Sequence, residues 1–255
     1  MKPLRSITQI LSIIFLSLLM NSAYAQISVY DIPLDTIKQL VTEDPEEFNL
    51  LNLRCLNPDS VVTISDFFYL YYGSAYVEGY SPYGERPLIK PADSLLEANR
   101  PDEAIEYCRN LISAHPGFTR PYFYLAVAYD MKGDTTNAQI FIDRYYGLLG
   151  IPYYSGTGNS LDSAFVVRSV DDEYLIISET GYEPFSQALI EENNIPYDLM
   201  NVRSIETGEE KDMYFNVYQP YVLGLNQMFG DFKGKKSKNK KDKKKKKNRK
   251  KKHDE

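Results

Sequence analysis

From Gln26 to Gly150 the apolar residues recur at helical spacing; beyond Gly150 they shift towards the two-residue spacing of strands. Leu34, Ile37, Leu40 and Val41 mark a first helix, and Pro45 opens a second through Phe48, Leu51 and Leu53. Thr63, with Asp66 three residues on, forms a capping-box pattern ahead of a third. That helix gives way near Gly79 to the turn Ser81-Pro82-Tyr83-Gly84, with Pro second and Gly fourth as a type I turn prefers. Pro87 and Pro91 shorten the next helix to 92–98. Pro101 then opens another, Gly133 ends the one after it, and Asp134 caps a last helix that Gly150 stops. In the C-terminal part, Ala164 to Val170 and Tyr174 to Ile177 are rich in β-branched residues and predict a hairpin across Asp171-Asp172. Gln187 to Glu191 predicts a further strand. Asp198 to Ile205 and Met213 to Tyr218 predict a second hairpin across Glu206-Thr207-Gly208-Glu209, and Val222 to Phe229 a closing helix. Along the last strand Phe215 and Val217 face one way and Tyr214, Asn216 and Tyr218 the other, which suits an antiparallel sheet with one covered face.

The stretch from about 85 to 150 repeats itself with an offset of 34 residues. Ala138 falls on Ala104, Ile142 on Cys108, Gly133 on Asn99 and Gly150 on Pro116. The exchanges keep their physical roles: Gly and Asn both accept the left-handed backbone past a helix end, and a small Ala lets two helices approach. With Tyr122, Leu125, Ala126 and Tyr129 on the first helix of the second unit, the stretch resembles a pair of tetratricopeptide units, which are about 34 residues each. The predicted fold class is therefore α+β: a tetratricopeptide-like helical N-terminal part packed with a C-terminal antiparallel β-sheet. The predicted organisation is a leader over 1–25, a helical part over 26–150, a β part with a short terminal helix over 151–232, and a lysine-rich tail over 233–255. Stacks of such units usually need three or more members, so neighbouring segments must cover the faces of two.

Residues 1–25 read as a secretory signal peptide. Lys2 and Arg5 give the positive start, Ile10 to Met20 the apolar core, and Ala23-Tyr24-Ala25 the cleavage site. The run is shorter than the ~20 apolar residues of a membrane span, so the processed chain is expected to start at Gln26, without a transmembrane segment, in the periplasm or outside the cell. Charge divides the chain sharply. Residues 233–255 hold 15 basic and 3 acidic residues, whereas 26–232 hold 12 basic and 32 acidic. A block of like charge does not collapse, so the tail is expected to be disordered. Behind a signal peptide it points to anionic lipid or phosphate-rich surfaces, at about 1 kcal/mol per residue near the surface. It lacks aromatic residues to stack on bases, which argues against nucleic acid.

Chemistry is sparse. His115, beside Pro116, is the single histidine of 26–232, placed at a helix end where the dipole favours its cation. No G-x-S-x-G elbow, P-loop lysine or H-E-x-x-H appears, no residues are assigned to catalysis, cofactor or metal, and no cofactor is expected. Asp162, Asp171, Asp172 and Glu173 lack the EF-hand spacing, but a carboxylate pair for glycoside hydrolysis stays open. Cys55 and Cys108 are a candidate disulfide in an oxidising compartment; at its helix position Cys108 also suits a free, packed thiol. Thr63 to Gly84 carries eight Phe and Tyr residues. Those on the helix read as core, whereas Tyr80 and Tyr83 on the turn, and Tyr124 on a first-helix position, are the candidate partner-binding residues.

The run Tyr71-Tyr72-Gly73-Ser74-Ala75-Tyr76, the Ser81-Pro82-Tyr83-Gly84 turn, the repeat pair, and Ser163 to Val167 leading to Asp172-Glu173-Tyr174 together resemble one family. It is a family of exported Gram-negative bacterial proteins classed only as a domain of unknown function, with tetratricopeptide-like helices before a β portion. The resemblance implies no activity and no site residues. The resulting expectation is a non-enzymatic protein-binding or scaffolding protein of the cell envelope. The alternative is an envelope small-ligand receptor or carbohydrate-active hydrolase using carboxylates and tyrosines near the helix–sheet junction.

Overall fold

The computed structural model describes residues 32–83 and 85–224. The expected leader, the lysine-rich tail and most of the Val222–Phe229 helix lie outside them; 218–224 is helical. Helices fill the N-terminal part: α1 (Leu34–Glu43), α2 (Pro45–Leu56), α3 (Ile64–Gly73), α4 (Glu85–Leu88), α5 (Lys90–Glu97), α6 (Pro101–Ala114), α7 (Arg120–Met131) and α8 (Thr135–Leu149). The C-terminal part holds β1 (Phe165–Val166), α9 (Val170–Glu179), β2 (Tyr182–Glu192), β3 (Ile195–Ser204) and β4 (Glu210–Asn216). The chain is mixed α+β, with helices mostly before the strands.

Local chemistry sets the boundaries. The Asp44 side chain accepts from the Glu47 N–H at the start of α2, where Pro45 loses no bond. The Thr63/Asp66 capping box forms in full, and Arg54 of α2 bonds Asp66 at 2.6 Å, tying α2 to α3. Asn99 before α6 and Gly133 before α8 are 34 positions apart, and both have positive φ, 54° and 75°. The two α-helical hairpins, α5–α6 and α7–α8, thus turn at equivalent left-handed residues.

The sheet runs β1-β4-β3-β2, with β1 parallel to β4 and the other pairs antiparallel. The β3–β4 hairpin forms as the pattern predicts, over a turn with Gly208 at φ 74°. The first expected hairpin does not. Only Phe165–Val166 is extended, and Tyr174–Ile177 belongs to α9. Ser169 accepts from the Asp172 N–H at 3.3 Å, and Asp171, Asp172 and Glu173 fill the first turn, where the helix dipole favours acids. Cap and dipole override the β-branched composition. The predicted facing of the last strand holds for buried Phe215 and Val217, but Asn216 is also buried.

One apolar core spans both parts, from Ile37 and Phe48 through Tyr72, Tyr122 and Phe141 to Met200, Val202 and Phe215. Polar ties reinforce it: Tyr72 donates to the Val166 carbonyl at 3.2 Å, and the Gln219 amide to the Tyr72 carbonyl at 2.9 Å. The aromatic run on α3 is core, with Phe67, Tyr71 and Tyr72 buried.

Candidate functional site

Three places combine exposed or uncompensated groups with a defined shape. The first is the junction where α9 begins beneath the sheet. Arg168, fully buried just ahead of α9, donates through both terminal guanidinium nitrogens to Glu85, at 2.7 and 2.8 Å. Its Nε lies 3.4 Å from Asp172, and its guanidinium sits 5.4 Å from the Tyr71 ring centroid. Tyr71 donates to Asp172 at 2.9 Å, and Tyr80 donates to the Arg168 carbonyl. Burial pushes the Glu85 carboxyl upward while Arg168 pulls it down. Burial works against the Arg168 cation, and Asp172 and Glu85 more than offset it. Each member is held by another, which is the arrangement of a structural lock.

Glu173, one residue on, is different. It is fully buried; among the described residues no N–H or O–H donor reaches either carboxyl oxygen, and its side chain meets the Asp198 carboxyl. Burial, with Asp198 of β3 adding its charge, holds its acid well above the usual carboxylate range. Asp198 is also raised by burial, and accepts from the Gln187 amide at 2.7 Å. Tyr83, 60% exposed, lies close enough to feel both acids. The structure therefore gathers Asp172, Glu173, Asp198 and Tyr83 at the helix–sheet junction. Tyr80, expected at the surface, is 6% exposed and faces inward, because its hydroxyl reaches the Arg168 carbonyl.

A small cleft of about 40 Å³ opens beside this lock, lined by Tyr80, Glu85, His115 and Ser74. His115 is the C-cap of α6 but is half-buried; burial and the Arg168 charge lower its pKa, so the cation that the helix end would favour is suppressed. Tyr124 lines a different cleft of about 110 Å³, between α7, α8 and α9, with Phe123, Tyr145 and Glu179. It is half-buried, 3.4 Å from Asp93 of α5.

The second place is an open groove of about 350 Å³ between α7 and α8, floored by Ala126, Val127, Ala138 and Ile142 and edged by Asp130, Thr135 and Gln139. The repeat pattern marks Ala126, Ala138 and Ile142 but does not show that, among the described residues, nothing covers their face. The third is β2, an edge strand whose residues are exposed along nearly its whole length.

Cys55 and Cys108 are free thiols, each fully buried, and burial pushes both up to about 12. Among the described residues no cluster of three or more His, Cys, Asp or Glu is placed to hold a metal. No helix among them is long and apolar enough to cross a membrane.

A family model described as a domain of unknown function (DUF4919) matches residues 35–223. No curated protein and no solved structure matches the chain. The match covers α1 through β4 and takes in the junction, the groove and the edge strand; the chain belongs to the DUF4919 family.

Proposed function

We propose that this is a non-enzymatic protein-binding module of the bacterial cell envelope, built on a tetratricopeptide-like helical pair whose last face receives a segment of a partner. One observation carries the reading. Ala92, Ala104 and Cys108 of the first unit are fully buried, whereas their counterparts one period later are Ala126, Ala138 and Ile142. Of these, Ala138 and Ile142 are partly exposed and floor the open groove. In the first unit the neighbouring hairpin covers that face; in the second, no described element does. Repeats that stack bury such faces against a neighbour, so an open one is a template for an incoming helix. Phe123 and Tyr146, 41% and 56% exposed, extend the apolar surface along α7 and α8. The leader directs the chain to the envelope, and the lysine-rich tail adds a salt-sensitive contact with anionic surfaces.

Affinity capture from native envelopes tests this, using the protein, an Ala138→Arg variant and a form lacking residues 233–255. A defined partner kept by the tail-less form in high salt and lost with Ala138→Arg supports the reading. Capture unaffected by Ala138→Arg sinks it.

The grouping of Glu173, Asp198 and Tyr83 favours a second reading, a small-ligand receptor or carbohydrate-active hydrolase at the helix–sheet junction. A raised carboxyl beside another acid is the division of labour such hydrolysis uses. A glycan-hydrolysis screen in which Glu173→Gln removes activity would select it over the first.

A further inference from the structure

β2 ends the sheet. It runs 11 residues, Tyr182–Glu192, and pairs with β3 alone. Backbone groups on its outer side therefore lack a partner among the described residues, and such an edge is a template for another strand. Its N-terminal third is protected by Pro184 and by a bulge between Pro184 and Ser186. From Ser186 to Glu192 it carries neither.

The side chains along that unprotected run specify the occupant. Leu189 is 57% exposed and Ile190 half-exposed; Glu191 and Glu192 follow, both exposed. Successive residues point to opposite faces, so each face offers one apolar position and then one carboxylate. An antiparallel strand laid here would set apolar residues opposite Leu189 and Ile190 and meet charge at Glu191 and Glu192. A second copy suits the edge poorly, because every copy brings Glu183, Glu191 and Glu192 on a body that holds 32 acids and 12 bases over 26–232. The chain's own lysine-rich segment has the right charge. It is mostly Lys, with Asn, Asp and Gly among the rest, all poor strand formers, and it has no apolar residue to cover Leu189 or Ile190.

We infer that the outer edge of β2 binds an extended basic segment of a partner protein as a fifth, antiparallel strand. That segment has two adjacent Lys or Arg residues followed by two β-branched or apolar ones. The surface is separate from the α7–α8 groove and does not depend on it.

The probe is a labelled peptide of sequence Lys-Lys-Val-Ile-Thr-Thr-Val, titrated into the purified protein by fluorescence anisotropy. Hydrogen exchange is read on β2. Saturable binding with slowed exchange over 186–192 is expected. Combining Glu191→Lys with Glu192→Lys should weaken it at least ten-fold, and N-methylating alternate peptide amides should abolish it in one of the two phases. Ala138→Arg should leave it unchanged, which separates this surface from the groove. Failure to bind overturns the inference, as does binding indifferent to both the charge reversal and the N-methylation. It is equally overturned if the peptide binds only after residues 233–255 are removed, or only by dissociating a dimer, since the edge would then belong to the chain's own tail or to a second copy.

Discussion

Arg168 and Glu85 lie 83 positions apart in sequence and meet in a two-pronged ion pair with side-chain exposures of 1% and 7%. The pair joins the segment before α9 to α4, and with Tyr71 and Tyr80 it locks the sheet part to the helical part. Removing one partner strands the other charge in the core. Arg168→Met and Glu85→Gln should each cost about 3–5 kcal/mol in urea unfolding. The double replacement should cost less than their sum; strict additivity would deny the coupling.

Glu173 gives stability a pH dependence of defined sign. Its acid is raised in the folded chain, so the folded state holds the proton more tightly than the unfolded one. That contribution is fully present below the unfolded carboxyl range near 4.3 and is lost as pH rises towards the folded value, at about 1.4 kcal/mol for each pH unit. Glu173→Gln keeps the neutral shape. Its unfolding free energy should match that of the wild type near pH 4 and exceed it at pH 8. Equal stability at both would show that burial and Asp198 do not hold the carboxyl protonated.

How far the sequence reached depends on the range of the interaction. The Thr63/Asp66 cap, the α5–α8 boundaries and the β3–β4 hairpin are written in neighbouring residues, and they form where expected. The same kind of local signal, Ser169 with Asp172 three residues on, is present at α9, but the Val, Leu and Ile around it suit a strand equally well. The Arg168–Glu85–Asp172 lock has no local signature, because it forms only when distant turns fold onto one another. It also turned Tyr80 inward while leaving Tyr83 outside. The α7–α8 groove was legible as residues but not as a surface, since periodicity marks the face of a helix without showing what covers it.

The matching turns before α6 and α8 predict an asymmetry of substitution. Gly133, at φ 75°, has open space where a Cβ would stand, and Asn99 shows that Asn accepts the equivalent turn. Gly133→Asn should change stability by less than about 1 kcal/mol, and Gly133→Val should cost roughly 1–2 kcal/mol more. Thermal or urea unfolding of the two decides it; equal effects would mean the backbone there is not left-handed.

Burial of Cys55 and Cys108, with pKa values pushed to about 12, should make both inert to alkylation at pH 8 until the chain unfolds. Two labels per chain should appear with the unfolding transition, followed by mass spectrometry. Rapid labelling of either thiol in the native protein would show that α2 or α6 opens locally.

The proposed docking of a partner segment uses the face between α7 and α8, which no described element covers. Its most direct test is a photoreactive side chain placed at Gln139, on the groove edge, and irradiated in native envelopes, with and without Ala138→Arg. One discrete protein adduct is expected, which the Arg, filling the groove, abolishes while circular dichroism shows an unchanged fold. An adduct indifferent to Ala138→Arg, or none beyond a diffuse background, would mean that the groove receives no partner.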